Sequence, residues 1–164
     1  MKKRSTFTNV ALGAAAGLVG TIAIQALLKA NQKIAPTSIP PVRQDPGEFM
    51  VNKAESLMPL QAREKVPDVV ESIAAKSLAL GYGLTFGALY VAFRPKDTRV
   101  LLDGLVLGLV AWATSYLGWL PVLGLMPPVW KQRPAQIIAP IATHLVYGVA
   151  TASAYDWLED RVIS

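Results

Sequence analysis

The sequence predicts an all-α integral membrane protein, a bundle of four transmembrane helices with a short amphipathic helix in the first loop. Three observations lead there. Hydrophobic residues make up 52% of the chain and the mean hydropathy is +0.37. Charged residues account for only 16%, against roughly 25% in soluble domains. The apolar residues are also gathered into four long runs, each near the ~20 residues that a helix needs to cross hydrocarbon. A helix is the form in which one isolated segment satisfies its own backbone there. With 164 residues and no composition break, one membrane domain is expected.

The first run, about 10–28, is free of charge. Met1 to Arg4 followed by this run imitates a secretory signal, but Ile24-Gln25-Ala26 is a poor cleavage site. The run also exceeds the usual apolar core of about 7 to 15 residues, so it reads as an uncleaved anchor. Residues 31–72 form the one sizeable extramembrane loop, opening with Pro36, Pro40 and Pro41, which cannot continue a helix. A short helix is predicted over 46–58, with Asp45 as cap, Pro46 at the first helical position and Glu48 completing a D-x-x-E signal. Its Phe49, Met50, Ala54, Leu57 and Met58 give it an apolar side to lay on the membrane or the bundle. The second run, 73–93, is interrupted only by Lys76. The third, 100–120, carries Asp103 near its start. The fourth, 137–155, carries His144 as its one ionisable side chain before the terminal acids.

Basic residues set the expected orientation. Lys2, Lys3 and Arg4 precede span one, and Arg94, Lys96 and Arg99 crowd the turn between spans two and three. Both termini are therefore expected in the cytoplasm, although Lys29, Lys33, Lys131 and Arg133 fall on the opposite side. In that arrangement Asp103 sits with Arg94, Lys96, Arg99 and Asp156 in a charge cluster at the cytoplasmic end.

Each run carries two small residues four apart: Gly13 with Gly17, Gly83 with Gly87, Gly104 with Gly108, and Gly148 with Ala152. Such pairs share one helix face and let backbones approach, which drives association where lipid removes the hydrophobic force. Polar residues follow these faces. Gln25 lies on the ladder Gly13, Gly17, Thr21, and Lys76 on the stripe Leu80, Gly83, Gly87. Lys76 is expected to snorkel to headgroups, or else to pair with Glu71 or Gln25. His144 lies near the middle of span four, one turn after Pro140, and needs a partner there. A hydroxyl or carbonyl of another helix is the expected one, with proton relay or cofactor ligation as the sharper readings. Together His144, Gln25 and Lys76 form the candidate polar site. The turn from Trp119 to Pro134, broken by Pro121, Gly124, Pro127 and Pro128 and closed by Trp130, reads as a surface-lying or partly re-entrant loop over the bundle mouth.

Several chemistries are disfavoured. The chain has no cysteine and one histidine, so a zinc site would need carboxylates, and none lies at matching depth. No metal and no cofactor are expected. Ser115 and Ser153 stand outside any nucleophile-elbow motif. Gly81-Tyr82-Gly83 matches part of a potassium filter but lacks the preceding Thr-Val. No phosphate loop or dinucleotide fingerprint occurs. The 16 basic residues against 11 acidic show no interleaving with aromatics, so nucleic acid is not an expected partner.

Pro121-Val122-Leu123-Gly124-Leu125-Met126-Pro127-Pro128-Val129-Trp130 and the later His144-Leu145-Val146 resemble the YagU-type family of small bacterial inner-membrane proteins. The likeness covers roughly the C-terminal third. It implies a multi-pass protein of the bacterial cytoplasmic membrane, from a family without a settled biochemical activity. The reading of the residues is a non-enzymatic protein acting by helix association, as a homo-oligomer or an accessory subunit of a larger membrane complex. The alternative is a transport or proton-conducting module with His144 at the membrane midplane.

Overall fold

Ser5 starts the first helix by accepting the Thr8 amide on its hydroxyl at 3.1 Å, the usual way of satisfying a free helix N-terminus. In this computed structural model, which describes residues 5–59, 61, 67–94 and 99–163, α1 runs over Thr6–Ile34. The Ala35 amide closes on the Asn31 carbonyl at 2.8 Å, and Pro36 ends the run. Helix α2 covers Pro46–Glu55, with Asp45 Oδ1 accepting from the amides of Gly47 and Glu48 at 2.8 and 3.1 Å. It stops short of residue 58 because Pro59 disfavours helical geometry just before it. Ser56 turns the chain instead, its hydroxyl donating to the Lys53 carbonyl.

Helix α3 spans Asp68–Phe93 and α4 spans Val100–Ala113. The latter widens into a π turn, Thr114–Trp119, and ends in a single α turn, Leu120–Val122. Pro121 lacks the amide that would close a regular turn, and Gly118 takes non-helical angles (φ −96°, ψ −112°) inside the wide segment. The last helix, α5, runs over Pro134–Ile163 with Pro140 inside it. There is no strand among the described residues.

Among the described residues, three helical segments are long and apolar enough to cross a membrane: Thr6–Ile34, Val100–Val122 and Pro134–Val162. Helix α3, where the second of four spans was expected, is not among them.

The four long helices meet along three tight seams. Gly13 and Gly17 of α1 face Gly87 and Gly83 of α3; a methyl added at Gly13 would stand 2.5 Å from the Gly87 carbonyl oxygen. Gly104 and Gly108 of α4 lie on the α5 backbone at Gly148, Val149 and His144. Between these pairs, Gly20 of α1 rests on Tyr147 and Thr151 of α5. Ala16, Phe86, Leu107, Ala111, Tyr147 and Ala152 fill the core between them. The order across the bundle is α3, α1, α5, α4, and α3 reaches α4 mainly through long side chains.

The two ends are closed differently. At one end, Arg94 beyond α3 is 11% exposed in its side chain, bonds Asp156 of α5 at 3.0 Å, and pairs with Glu159. Its guanidinium also stands 4.9 Å from the centre of the Tyr155 ring. Burial disfavours its charged form, but the hydrogen bond and charge of Glu159 outweigh that and raise its pKa above the ordinary value. The expected cluster is thus partly redrawn: Asp103 turns back to accept the Arg99 amide at 3.1 Å, because the first turn of α4 offers it an unpaired donor. Lys96 lies outside the described residues. At the other end, α2 lies against α3, with Gly47 on the backbone of Ala75. The loop after Leu120–Val122 folds back beside it. Gly124 has the one positive φ among the described residues, +72°. The Arg43 amide donates to Leu125 O at 2.8 Å and Gln136 Nε2 to Ile39 O at 3.3 Å. Leu120, Leu125 and Met126 form a second small core with Phe49, Tyr116 and Trp119.

Two outcomes follow from this packing. Gly13→Val should open the α1/α3 seam and cost about 1–3 kcal/mol, whereas Gly81→Ala, with nothing within 4 Å of the added methyl, should be neutral or slightly stabilising. Thermal melting in detergent compares them. By the same measurement, Arg94→Met should lower stability by about 1 kcal/mol by removing the cation that bridges the partly exposed Asp156 and Glu159.

Candidate functional site

Because α3 and α4 are held apart while the other seams are tight, a cavity of about 480 Å³ remains inside the bundle. All four long helices wall it. Thr21, Ile24, Gln25 and Leu28 come from α1, Leu78, Tyr82 and Gly83 from α3, Ala111 from α4, and His144 and Tyr147 from α5. The π turn contributes Ser115, Tyr116 and Trp119, and Pro46, Gly47 and Met50 of α2 close it over. π segments recur at functional sites because the extra residue re-aims side chains that a regular helix would direct elsewhere. The volume is in the range of small-molecule sites, and the wall is mainly apolar with a few polar groups, the usual make-up of such sites.

Most of those polar groups are already tied to the protein. The Tyr82 hydroxyl lies 2.7 Å from Ser115 Oγ and 3.3 Å from the Ala111 carbonyl oxygen. The Ser115 hydroxyl also donates to Ala111 O at 3.1 Å. Tyr147 donates to the Gly83 carbonyl at 2.6 Å and Thr21 to Gly17 at 2.8 Å. The two tyrosine bonds bridge α3 to α4 and α5 to α3 across the space where backbones do not meet.

His144 bonds within its own helix, correcting the expectation of a partner on another one. Its Nδ1 lies 2.8 Å from the Pro140 carbonyl oxygen, one turn earlier and therefore within easy reach. The Thr143 hydroxyl donates to the same oxygen at 3.0 Å. The imidazole stands edge-on to Tyr116, with ring centres 5.6 Å apart. The Tyr116 hydroxyl has no hydrogen-bond partner among the described residues.

The other two members of the expected polar set are placed differently. Gln25 lies on the cavity wall but is exposed. Lys76 is exposed and does not line the cavity, which is compatible with the snorkelling expectation and separates it from His144 and Gln25. At its level the neighbour of α3 is α2, which packs on Ala75, and the covered face of the helix turns away from the Gly83 and Gly87 stripe. Gly124, Pro127 and Pro128 belong to the loop beside α2, where Gln132 Nε2 donates to Pro127 O at 2.7 Å. Trp130 is 78% exposed.

Tyr82, Tyr116 and Tyr147 were not singled out from the sequence. The available signals were tyrosines set among small residues in apolar runs, and Pro121 shortly after Gly118 as the mark of an irregular turn. Among the described residues no three His, Asp or Glu side chains gather in metal-binding fashion. Outside the cavity a second space, about 870 Å³, runs between α2 and α3. Met50, Leu78 and Tyr82 line both, forming the partition between them.

No family model, curated protein or solved structure matches this chain.

The Tyr82–Ser115 contact is open to a double-mutant cycle. Tyr82→Phe and Ser115→Ala should each cost about 1 kcal/mol, and the pair should cost less than their sum, since one buried hydrogen bond is shared. Additive losses in denaturant titrations would show that the contact carries no coupling.

Proposed function

We propose that this chain is a four-span protein of the bacterial inner membrane, with both termini cytoplasmic, that binds a small, mainly apolar molecule in the cavity beneath α2. The observation that carries the reading is that cavity: walled by four helices, roofed by a fifth, and lined by hydrogen-bonding groups held in place by the backbone. The role is binding and not catalysis, because the hydroxyls of Tyr82, Ser115, Tyr147 and Thr21 are tied to carbonyls and no acid–base pair stands beside a nucleophile among the described residues. The resemblance of the C-terminal third to YagU-type proteins supports the location.

The glycine faces that would serve association as a homo-oligomer or accessory subunit pack against the chain's own helices, so that reading draws no support from them. The transport reading keeps a specific support, the thin partition of Met50, Leu78 and Tyr82 between cavity and groove. In this form the groove is the route of entry, and a carrier would pass its cargo along it. The fourth crossing belongs to the proposal as well: the charge-free stretch of α3 after Lys76 is packed along its whole glycine seam with α1, which itself is apolar enough to span.

The chain has no cysteine, so single cysteines report topology without background. Cysteines replacing Ser5 and Arg99 should label from one side of sealed vesicles with an impermeant maleimide, and those replacing Lys33 and Lys131 from the other. Labelling of Arg99→Cys together with Lys33→Cys would mean that α3 does not cross. For the ligand, native mass spectrometry from mild detergent should show a small molecule retained at one copy per chain. Leu78→Trp, which places an indole in the partition, should lower that retention several-fold while the protein still melts cooperatively. Equal retention by both would remove the cavity from the reading.

A further inference from the structure

The cavity's ligand chemistry can be narrowed by the one histidine. Pro140 O is a carbonyl oxygen and can only accept, so the ring nitrogen 2.8 Å from it, Nδ1, must carry the proton. In the neutral imidazole, Nε2 is then a bare acceptor. The neutral form is the one an apolar enclosure favours, because an unpaired cation there is costly. The one carboxylate on the wall, Asp45, already accepts the first amides of α2 on Oδ1. His144 makes no ion pair and no second hydrogen bond among the described residues, and it lines the cavity. The protein thus presents an acceptor of fixed tautomer to an otherwise mainly apolar space. An acceptor on the wall of an apolar space, with no donor from the described residues, is best met by a guest that supplies one.

Resting on the binding role proposed above, we infer that the cavity takes an apolar molecule bearing a hydroxyl that donates a hydrogen bond to His144 Nε2. An alkylated phenol or alcohol has this chemistry. An ether or a hydrocarbon of the same shape lacks the donor. The tautomer matters: with the proton on Nε2 the same ring would demand an acceptor, and the preference would reverse.

The test uses the full chain in detergent and two probes, 4-heptylphenol and its methyl ether, each binding constant referred to the probe's partition into protein-free micelles. Wild type should bind the phenol about five- to tenfold more tightly than the ether, the range of one neutral hydrogen bond. His144→Phe, which keeps an aromatic ring against Tyr116, should hold the ether as before and bring the phenol down to it. Because the chain has a single histidine, 15N-histidine labelling gives two ring resonances that belong to His144 alone. The free protein should show protonated Nδ1 and bare Nε2, and the Nε2 resonance should move with the phenol and not with the ether. If His144→Phe fails to fold, the probe pair on wild type and this resonance carry the test. Equal binding of the two probes with Nε2 unmoved would overturn the inference and leave the cavity as a binding site. A phenol preference without movement of Nε2 would also overturn it, assigning the hydroxyl to another group. Binding of neither probe would overturn the inference and the binding role together.

Discussion

The close approach of helix backbones at glycine governs the rest of this structure. Where Gly13 and Gly17 meet Gly83 and Gly87, and where Gly104 and Gly108 meet the α5 backbone at Gly148, backbone lies directly on backbone, with Val91 and Thr21 the side chains that reach the first seam. Two helices so joined form a nearly rigid pair, because at most of these glycines an added methyl would have to displace backbone. The α1–α5 seam at Gly20 then locks the two pairs together. Once three seams are that tight, the fourth side of the bundle cannot also close, and α3 and α4 stand apart over the cavity. The void is thus a result of good packing elsewhere. Interiors are otherwise filled to crystal-like density.

What occupies the edges of that void follows from the scarcity of water. A hydroxyl in an apolar enclosure is stabilised by a partner, and for most of those here the nearest is a backbone carbonyl. Tyr82, Ser115, Tyr147 and Thr21 all reach one. Tyr82 and Tyr147 do so across helices, so they set the width of the gap as well as satisfying themselves. The Pro140 carbonyl has two side-chain partners, Thr143 and His144. That local pairing holds the imidazole in one orientation and one tautomer. It converts a titratable side chain into a directional acceptor.

The ends of the bundle divide the remaining work. Arg94, Asp156 and Glu159 pin α3 to α5 at one end with charges that a half-buried site strengthens. At the other, α2 and the loop through Gly124 are joined by backbone and side-chain bonds from Arg43 and Gln136. The opening of the cavity lies under this second, lighter construction. Apart from Gly47 on Ala75, α2 meets α3 through side chains, and the groove between them is separated from the cavity only by Met50, Leu78 and Tyr82. Access is therefore a matter of a few side chains, while the walls are set by backbone.

The sequence by itself determined the helical class, the three segments apolar enough to span, the Asp45 cap and the helix it starts, and the positions of the small-residue pairs. These depend on local composition and on spacing along one helix, which the linear order contains. It did not determine which small-residue face meets which, because every such face is equally suited to every other. Nor did it determine the end of α3. Lys76 shares a stripe with Gly83 and Gly87, yet the neighbour at its level is α2, and a stripe cannot reveal a change of neighbour. The partner of His144 was within reach on its own helix, although the acceptor chemistry matters only because the tertiary structure puts a cavity beside it. The tyrosines around that cavity gain their role the same way. A void is a property of how helices fail to meet, and no single helix encodes it.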